Sequence, residues 1–422
     1  MSGPLPRDGT VAVIGASLAG LRAAETLRDG GFTGRLVMVG DERHVPYDRP
    51  PLSKQVLAGT WPPERTTLAD EARLCELGIE ARLGRRATSL DAAARRVTLD
   101  DGTSIGADGI VVATGASPRR LPGTDGRADV FVLRTLDDAE RLQTAIGVAR
   151  PATSPRATCK VAVVGAGFIG AEVAATCAGL GCEVVVLEAL QTPLESALGE
   201  IVGAACGALH VRHGVQLRTG AQVAAIDPAP VTGAGRKTIH LVHGDAVDAD
   251  VVVVGIGVVA NTGWLEASGL SIDDGVVCDA TLFAADGIVA AGDLARWTWR
   301  RHGEESLVRI EHWEVASQMG VAAAKSLLAG RAVAAPFDPV PYFWSDQYGL
   351  RIQMLGHPSP DDEVEVVDGR LDADDAKFVA IYGSAGRLTA ALAVSRPRQL
   401  MAFRPLVARG ASFSEALALL DG

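Results

Sequence analysis

Apolar residues fall along this chain in short unbroken blocks, each ending at glycine or an acid. The first, TVAVIG, has Val11 to Ile14 at its heart and runs into GASLAG, after which an alanine- and leucine-rich stretch predicts a helix. A second strand, LVMVGD, ends at Asp41. The pattern recurs in KVAVVGAGFIGAEVAATCAGLGCEVVVLEAL (160–190), where EVVVLE ends at Glu188. Buried strands are also predicted in IVVATG (110–115), VVVVGIGVVA (251–260) and DGIVAAGD (286–293). After AAPFDPVPYF the pattern changes. RIQMLG, EVEVVDG, KFVAIYG and LTAALAV, parted by Gly- and Asp-containing turns, predict antiparallel strands, and SFSEALALL predicts a closing helix.

Two strand–turn–helix units therefore carry a dinucleotide fingerprint. In the first, Gly15 allows the sharp turn, Gly20 lets helix and strand pack closely, and Ser17 occupies the middle glycine position. The second has the complete form, Gly165, Gly167 and Gly170. Each offers helix N-terminal amides to a pyrophosphate. Asp41 and Glu188 each lie seven residues after a glycine, Gly34 and Gly181, at the tip of a second strand. There a carboxylate accepts hydrogen bonds from an adenosine ribose. Two such sites imply two dinucleotides, commonly FAD and NAD(P)H. Glu188 favours a free 2′-hydroxyl over a 2′-phosphate, so NADH is the expected donor. IVVATGASPRRLPG (110–123) reads as the crossover out of the first domain and 248–261 as the return strand. Asp293 is placed to meet a flavin ribityl hydroxyl.

The fold class is thus α/β: two Rossmann-like dinucleotide-binding domains plus a C-terminal α+β domain. Residues 1–125 and 248–330 are expected to form a discontinuous FAD domain, 126–247 the NAD domain and 331–422 the third. RPATSPRA (150–157) reads as a polar connection inside the insert.

Composition narrows the function. The 422 residues, 48% of them hydrophobic, suit two or three domains. A net charge of -11 argues against general nucleic-acid binding yet leaves room for a local basic patch. The six cysteines (Cys75, Cys159, Cys177, Cys182, Cys206, Cys278) form no metal-type CxxC pair and read as reduced, mostly buried thiols. No metal site is expected. MSGPLPRDGT lacks an apolar signal core, and the longest aliphatic run is too short to span a bilayer. The cytoplasm is the expected location.

VGDERHVPYDRPPLSK (39–54), GAGFIGAE, RIEHWEVA and YFWSDQYGLRIQMLG go further. Through them nearly the whole chain resembles the FAD-dependent ferredoxin reductases of the putidaredoxin reductase and biphenyl dioxygenase reductase type, which have a glutathione-reductase-like fold and feed Rieske oxygenases and bacterial cytochromes P450. The resemblance implies a stiff loop through Pro46, Pro50 and Pro51 that delivers Lys54 toward flavin N5, with Lys54 and Glu172 paired as the catalytic residues. It implies FAD contacts at Ala19, Asp41, Lys54, Ala87, Arg134, Asp293 and Trp313, with Trp313 and Trp344 beside the isoalloxazine. Arg49, Thr114, Gly115, Ile169 and Gly257 complete the implied cofactor-binding set. The arginine that the family often has shortly after Glu188 is missing from EALQTPLES.

The implied activity is hydride transfer from NADH to FAD, then single-electron transfer to a [2Fe-2S] or similar ferredoxin. That acceptor would serve a cytochrome P450 or Rieske oxygenase. Arg296, Arg300, Arg301 and Arg309, in and near WTWRRHG, form the candidate docking patch. The alternatives are a flavin-linked NADH oxidase or a nucleotide-binding signalling flavoprotein of related fold. A disulfide oxidoreductase is disfavoured because Cys177 and Cys182, at CxxxxC spacing, lie in the NAD unit.

Overall fold

The apolar blocks become the inner strands of two parallel sheets. A computed structural model describes residues 3–147, 159–228, 236–372 and 376–419. The polar connection at 150–157 lies outside the described residues. The chain divides into two compact units: Met1–Asp48, Thr66–Ser117 and Val259–Pro341 make the first, and Arg49–Arg65, Pro118–Val258 and Tyr342–Gly422 the second.

In chain order the elements around the site are β1 (Thr10–Ile14), α1 (Leu18–Asp29), β2 (Arg35–Gly40), β3 (Ile79–Leu83), β4 (Gly109–Val112), β5 (Lys160–Val164), α2 (Phe168–Gly179), β6 (Glu183–Leu187), α3 (Glu195–Arg212), β7 (Val251–Val254), β8 (Ile288–Ala290), α4 (Trp313–Ala329), β9 (Tyr342–Gln347) and β10 (Leu350–Gly356).

In the first unit β3, β2, β1, β4 and β8 stand side by side and parallel, with Phe283–Ala285 antiparallel on one edge. The strand order reverses between β1 and β4, which opens a crevice at the carboxyl end of β1. Val11, Val37, Val111 and Val289 are fully buried, each contributing about 1.5–3 kcal/mol. Helix α1 packs on α4, and the crossing is close because Gly320 has no side chain. A Cβ there would stand 2.3 Å from the Ala19 carbonyl oxygen.

The second unit repeats the plan: Gln216–Arg218, β6, β5, β7 and Val130–Phe131 are all parallel. An antiparallel sheet of Val223–Ile226, Lys237–Leu241 and Ala246–Ala249 follows. The segment after residue 341 forms the expected antiparallel sheet, β9, β10, Arg387–Val394, Phe378–Ser384 and Glu363–Gly369 in order across it. Ile352, Met354, Phe378 and Leu392 of that sheet share one core with Leu194 and with Leu198, Val202 and Cys206 of α3. That shared core places the C-terminal sheet in the same unit as α3. The α/β class, with two parallel nucleotide-type sheets and a C-terminal antiparallel sheet, is as the sequence predicts. No described helix is long and apolar enough to cross a membrane.

Candidate functional site

The turn after β1 is built as the fingerprint requires. Gly15 takes φ +126° and donates to the Val39 carbonyl at 2.8 Å, and a Cβ on it would lie 2.0 Å from the Ala113 oxygen. Gly20 packs equally hard, its absent Cβ 1.9 Å from the Gly15 oxygen. Ser17 stands at the N-cap of α1 without capping the helix through its side chain. Ala19 lies against Gly292, which takes φ +81°, and this sets Asp293 beside the first turn of α1. Thr114 donates to the Asn261 carbonyl at 3.1 Å, and the Gly115 carbonyl accepts from the Asn261 amide at 2.9 Å. Trp313 opens α4 and donates from Nε1 to Asp48 at 2.6 Å, which holds the loop after β2. The structure thus gathers Gly15, Ser17, Ala19, Gly20, Thr114 and Asp293 around the carboxyl end of β1. Ala87 begins a separate three-stranded sheet.

The second loop superposes on this logic step by step. Gly165 takes φ +98° and donates to the Leu187 carbonyl at 2.8 Å, and a Cβ on Gly170 would lie 2.1 Å from the Gly165 oxygen. Gly167 is different. Its φ is -71°, and a Cβ there would meet only the Gly255 oxygen, 3.9 Å away. The fold makes no demand for glycine at that point, so the space in front of it fits a ligand approaching the backbone. Beside it Ile169 is 47% exposed, an apolar side chain in the first turn of α2 with little to cover it. Gly257 (φ +92°) accepts from the Arg119 amide at 2.9 Å.

The two acids are not equivalent in the sheet. Val164 pairs with Leu187 as Ile14 pairs with Val39, so the counterpart of Glu188 is Gly40, with Asp41 one residue further on. Gly40 is pressed against Ala16, its missing Cβ 2.6 Å from the alanine methyl. Glu188 by contrast binds the loop, accepting from Ala166 N at 2.6 Å and from Leu190 N at 2.9 Å. Asp41 pairs with Arg86 at 3.3 Å near the surface. The matched spacing from glycine is thus offset by one position in three dimensions.

A dense polar cluster lies wholly within the second unit. Pro50 and Pro51 lead into a wide π-type turn, Leu52–Val56, closed by the Val56 amide on the Pro51 carbonyl at 3.0 Å. That turn aims two consecutive side chains at one oxygen: Ser53 Oγ and Lys54 Nζ reach Oε2 of Glu172 at 2.5 and 3.0 Å. On Oε1 the same carboxylate accepts from Ser345 Oγ at 2.8 Å and Asp346 N at 3.2 Å. One helical turn along α2, Thr176 donates to the Ser53 carbonyl at 2.7 Å. Side-chain exposures of 12% for Lys54 and 4% for Glu172 make this a buried ion pair with two donors on each oxygen. Such a charge is tolerated only because its lone pairs are satisfied.

The resemblance implies the pairing of Lys54 with Glu172; the two serines carry no signal of this contact in the sequence. Both stand inside quoted motifs, Ser53 in PPLSK and Ser345 in YFWSDQYG. Trp344, the neighbour of Ser345, stacks on Tyr342 with ring centroids 6.2 Å apart. Arg49 donates to the Arg134 carbonyl at 2.5 Å, and Arg134 N–H donates to Asp138.

The candidate docking patch needs correction. Arg296 pairs with Asp273, Arg300 with Glu305 at 2.6 Å, and Arg309 with both Asp274 and Glu311. Arg301 lies over the Trp299 ring at 5.1 Å. The hairpin of Ala295–Arg301 with Glu304–Val308 sets arginines opposite glutamates, and the stretch is a neutralised ladder rather than a cationic surface.

Residues 9–320 match the pyridine nucleotide-disulphide oxidoreductase family and residues 342–421 the reductase C-terminal family. The chain is 39% identical to the ferredoxin–NAD(+) reductase component of the anthranilate 1,2-dioxygenase system of Burkholderia cepacia, over 94% of each chain. It is 36% identical to rhodocoxin reductase of Rhodococcus erythropolis, over 94% of this chain and 89% of that one. It is also similar to the reductase in the covalent putidaredoxin reductase–putidaredoxin complex, with a TM-score of 0.87, 30% identity and 98% of each chain covered.

Proposed function

The chain belongs to the pyridine nucleotide-disulphide oxidoreductase family, and on that footing we propose that it is an NADH-dependent ferredoxin reductase carrying FAD. Two glycine cradles of matching geometry in one chain carry this reading. FAD is assigned to the first unit, where Gly15, Ser17, Ala19 and Gly20 offer the pyrophosphate a close backbone and Asp293 offers a carboxylate to the ribityl chain. NADH is assigned to the second, at Gly165, Gly167 and Gly170. Glu188, already oriented by two amides, accepts from the 2′-hydroxyl of the adenosine and repels a 2′-phosphate.

When bound, the flavin supplies the step no side chain can perform, taking a hydride from NADH and releasing the electrons singly. The protein aligns and charges the site. Ser53, Ser345 and the Asp346 amide hold Glu172, and Glu172 holds the Lys54 ammonium in one place. A fixed cation favours negative charge developing near it without reorganisation. The acceptor is an iron–sulfur ferredoxin of the [2Fe-2S] or similar type, serving a cytochrome P450 or a Rieske oxygenase. The names of the similar reductases support that class of acceptor.

The test is cytochrome c reduction by NADH with and without added ferredoxins. Turnover that requires a ferredoxin supports the proposal. Direct peroxide production at the same rate without one would favour an oxidase. Slow reduction that leaves a long-lived charge-transfer band would favour a signalling flavoprotein.

A further inference from the structure

Cys159 and Cys182 immediately precede β5 and β6. The parallel register that pairs Lys160 with Glu183 sets these two cysteines opposite each other. The ladder reaches this step, since Glu183 N–H donates to the Cys159 carbonyl at 3.0 Å. Neighbouring strands lie about 4.8 Å apart, inside the roughly 4.4–6.8 Å Cα range that a disulfide spans. The register brings the two thiols within interaction range of each other. Both are partly exposed, whereas Cys177, Cys206 and Cys278 are buried.

Contact with the Cys182 sulfur, with burial beside it, pushes the Cys159 thiol above the ordinary thiol range.

We propose that Cys159 and Cys182 form a reversible dithiol–disulfide site oxidised by hydrogen peroxide. One of the two sulfurs, as thiolate, attacks one peroxide oxygen and the O–O bond breaks, leaving a sulfenic acid on that cysteine and hydroxide, which takes up a proton as water. The other sulfur then attacks the sulfenic sulfur. The S–S bond forms, the S–O bond breaks, and the second thiol's proton leaves with the hydroxide as a second water. The two thiols lose two electrons and the peroxide gains them. The site stands at the amino ends of β5 and β6, roughly 20 Å of strand from Gly165, so it requires neither nucleotide.

The full-length holoprotein is treated with hydrogen peroxide, quenched with catalase, alkylated, digested without reduction and sequenced by fragmentation. We expect a Cys159–Cys182 linked peptide and loss of two of the six thiols, both restored by dithiothreitol. Cys159→Ser and Cys182→Ser should each abolish the linked peptide while retaining the wild-type circular dichroism spectrum. Retention of both thiols, linkage of Cys182 to Cys177, or separate over-oxidation without any disulfide would overturn the proposal in the wild-type protein alone.

Discussion

Ser345 Oγ donates to Oε1 of Glu172 at 2.8 Å, on the oxygen opposite the one that Ser53 and Lys54 share. Gln347 Nε2 donates in turn to Ser345 Oγ at 3.1 Å, so a buried relay behind the carboxylate fixes its rotation. Ser345→Ala leaves Oε1 with the Asp346 amide and strands a buried donor on Gln347. The expected loss is about 1–3 kcal/mol in urea unfolding. NADH-dependent turnover should slow several-fold, and Ser345→Thr, which keeps the hydroxyl, should recover most of both.

Lys54→Ala removes the cation yet leaves three hydrogen-bond donors on Glu172. Flavin reduction by NADH should slow by about 10–100-fold, with FAD content per chain close to wild type. Equal reduction rates in stopped-flow traces would remove Lys54 from the proposed role.

Glu188→Ala deletes the carboxylate that the Ala166 and Leu190 amides hold at the tip of β6. The kcat/KM ratio of NADH over NADPH should fall by roughly tenfold, the loss of one charge-assisted hydrogen bond together with its repulsion of a 2′-phosphate. An unchanged ratio would place nucleotide selection elsewhere.

Tyr348 forms the tip of the β9–β10 hairpin at φ +53°, stacked 4.3 Å from His213 and hydrogen-bonded at 2.6 Å to His210 Nδ1. Burial, with a smaller push from His213, lowers the His210 pKa to about 4. An unfolded histidine titrates near 6.5, so between these values the unfolded chain binds more protons and stability falls as pH drops from 6.5 toward 4. The full effect is on the order of 3 kcal/mol. Thermal melts over this range should show the loss, and His210→Gln should flatten it.

Much of the site was legible because glycines at positive φ leave an unambiguous mark. Gly15 and Gly165 occupy backbone conformations that other residues avoid, and the spacing to Gly20 and Gly170 follows from helix–strand packing. The acids were harder. β2 begins one residue after Gly34 but β6 two residues after Gly181, so counting from the glycine shifts Asp41 one place relative to Glu188. Ser345 lies 173 residues from Glu172, and no local pattern announces a contact made by a distant hairpin. The arginine cluster misled for a local reason. Glu304 and Glu305, opposite Arg301 and Arg300, come after only two intervening residues, and a tight hairpin folds them back onto the cluster.

The proposed activity requires one chain to bind flavin and NADH and to move a hydride between them. Anaerobic mixing of the purified yellow protein with NADH tests this most directly. The expected result is loss of flavin absorbance near 450 nm at a rate that saturates with NADH, followed by recovery on adding an oxidised ferredoxin. Protein that retains FAD but keeps its flavin absorbance unchanged after NADH would contradict the account.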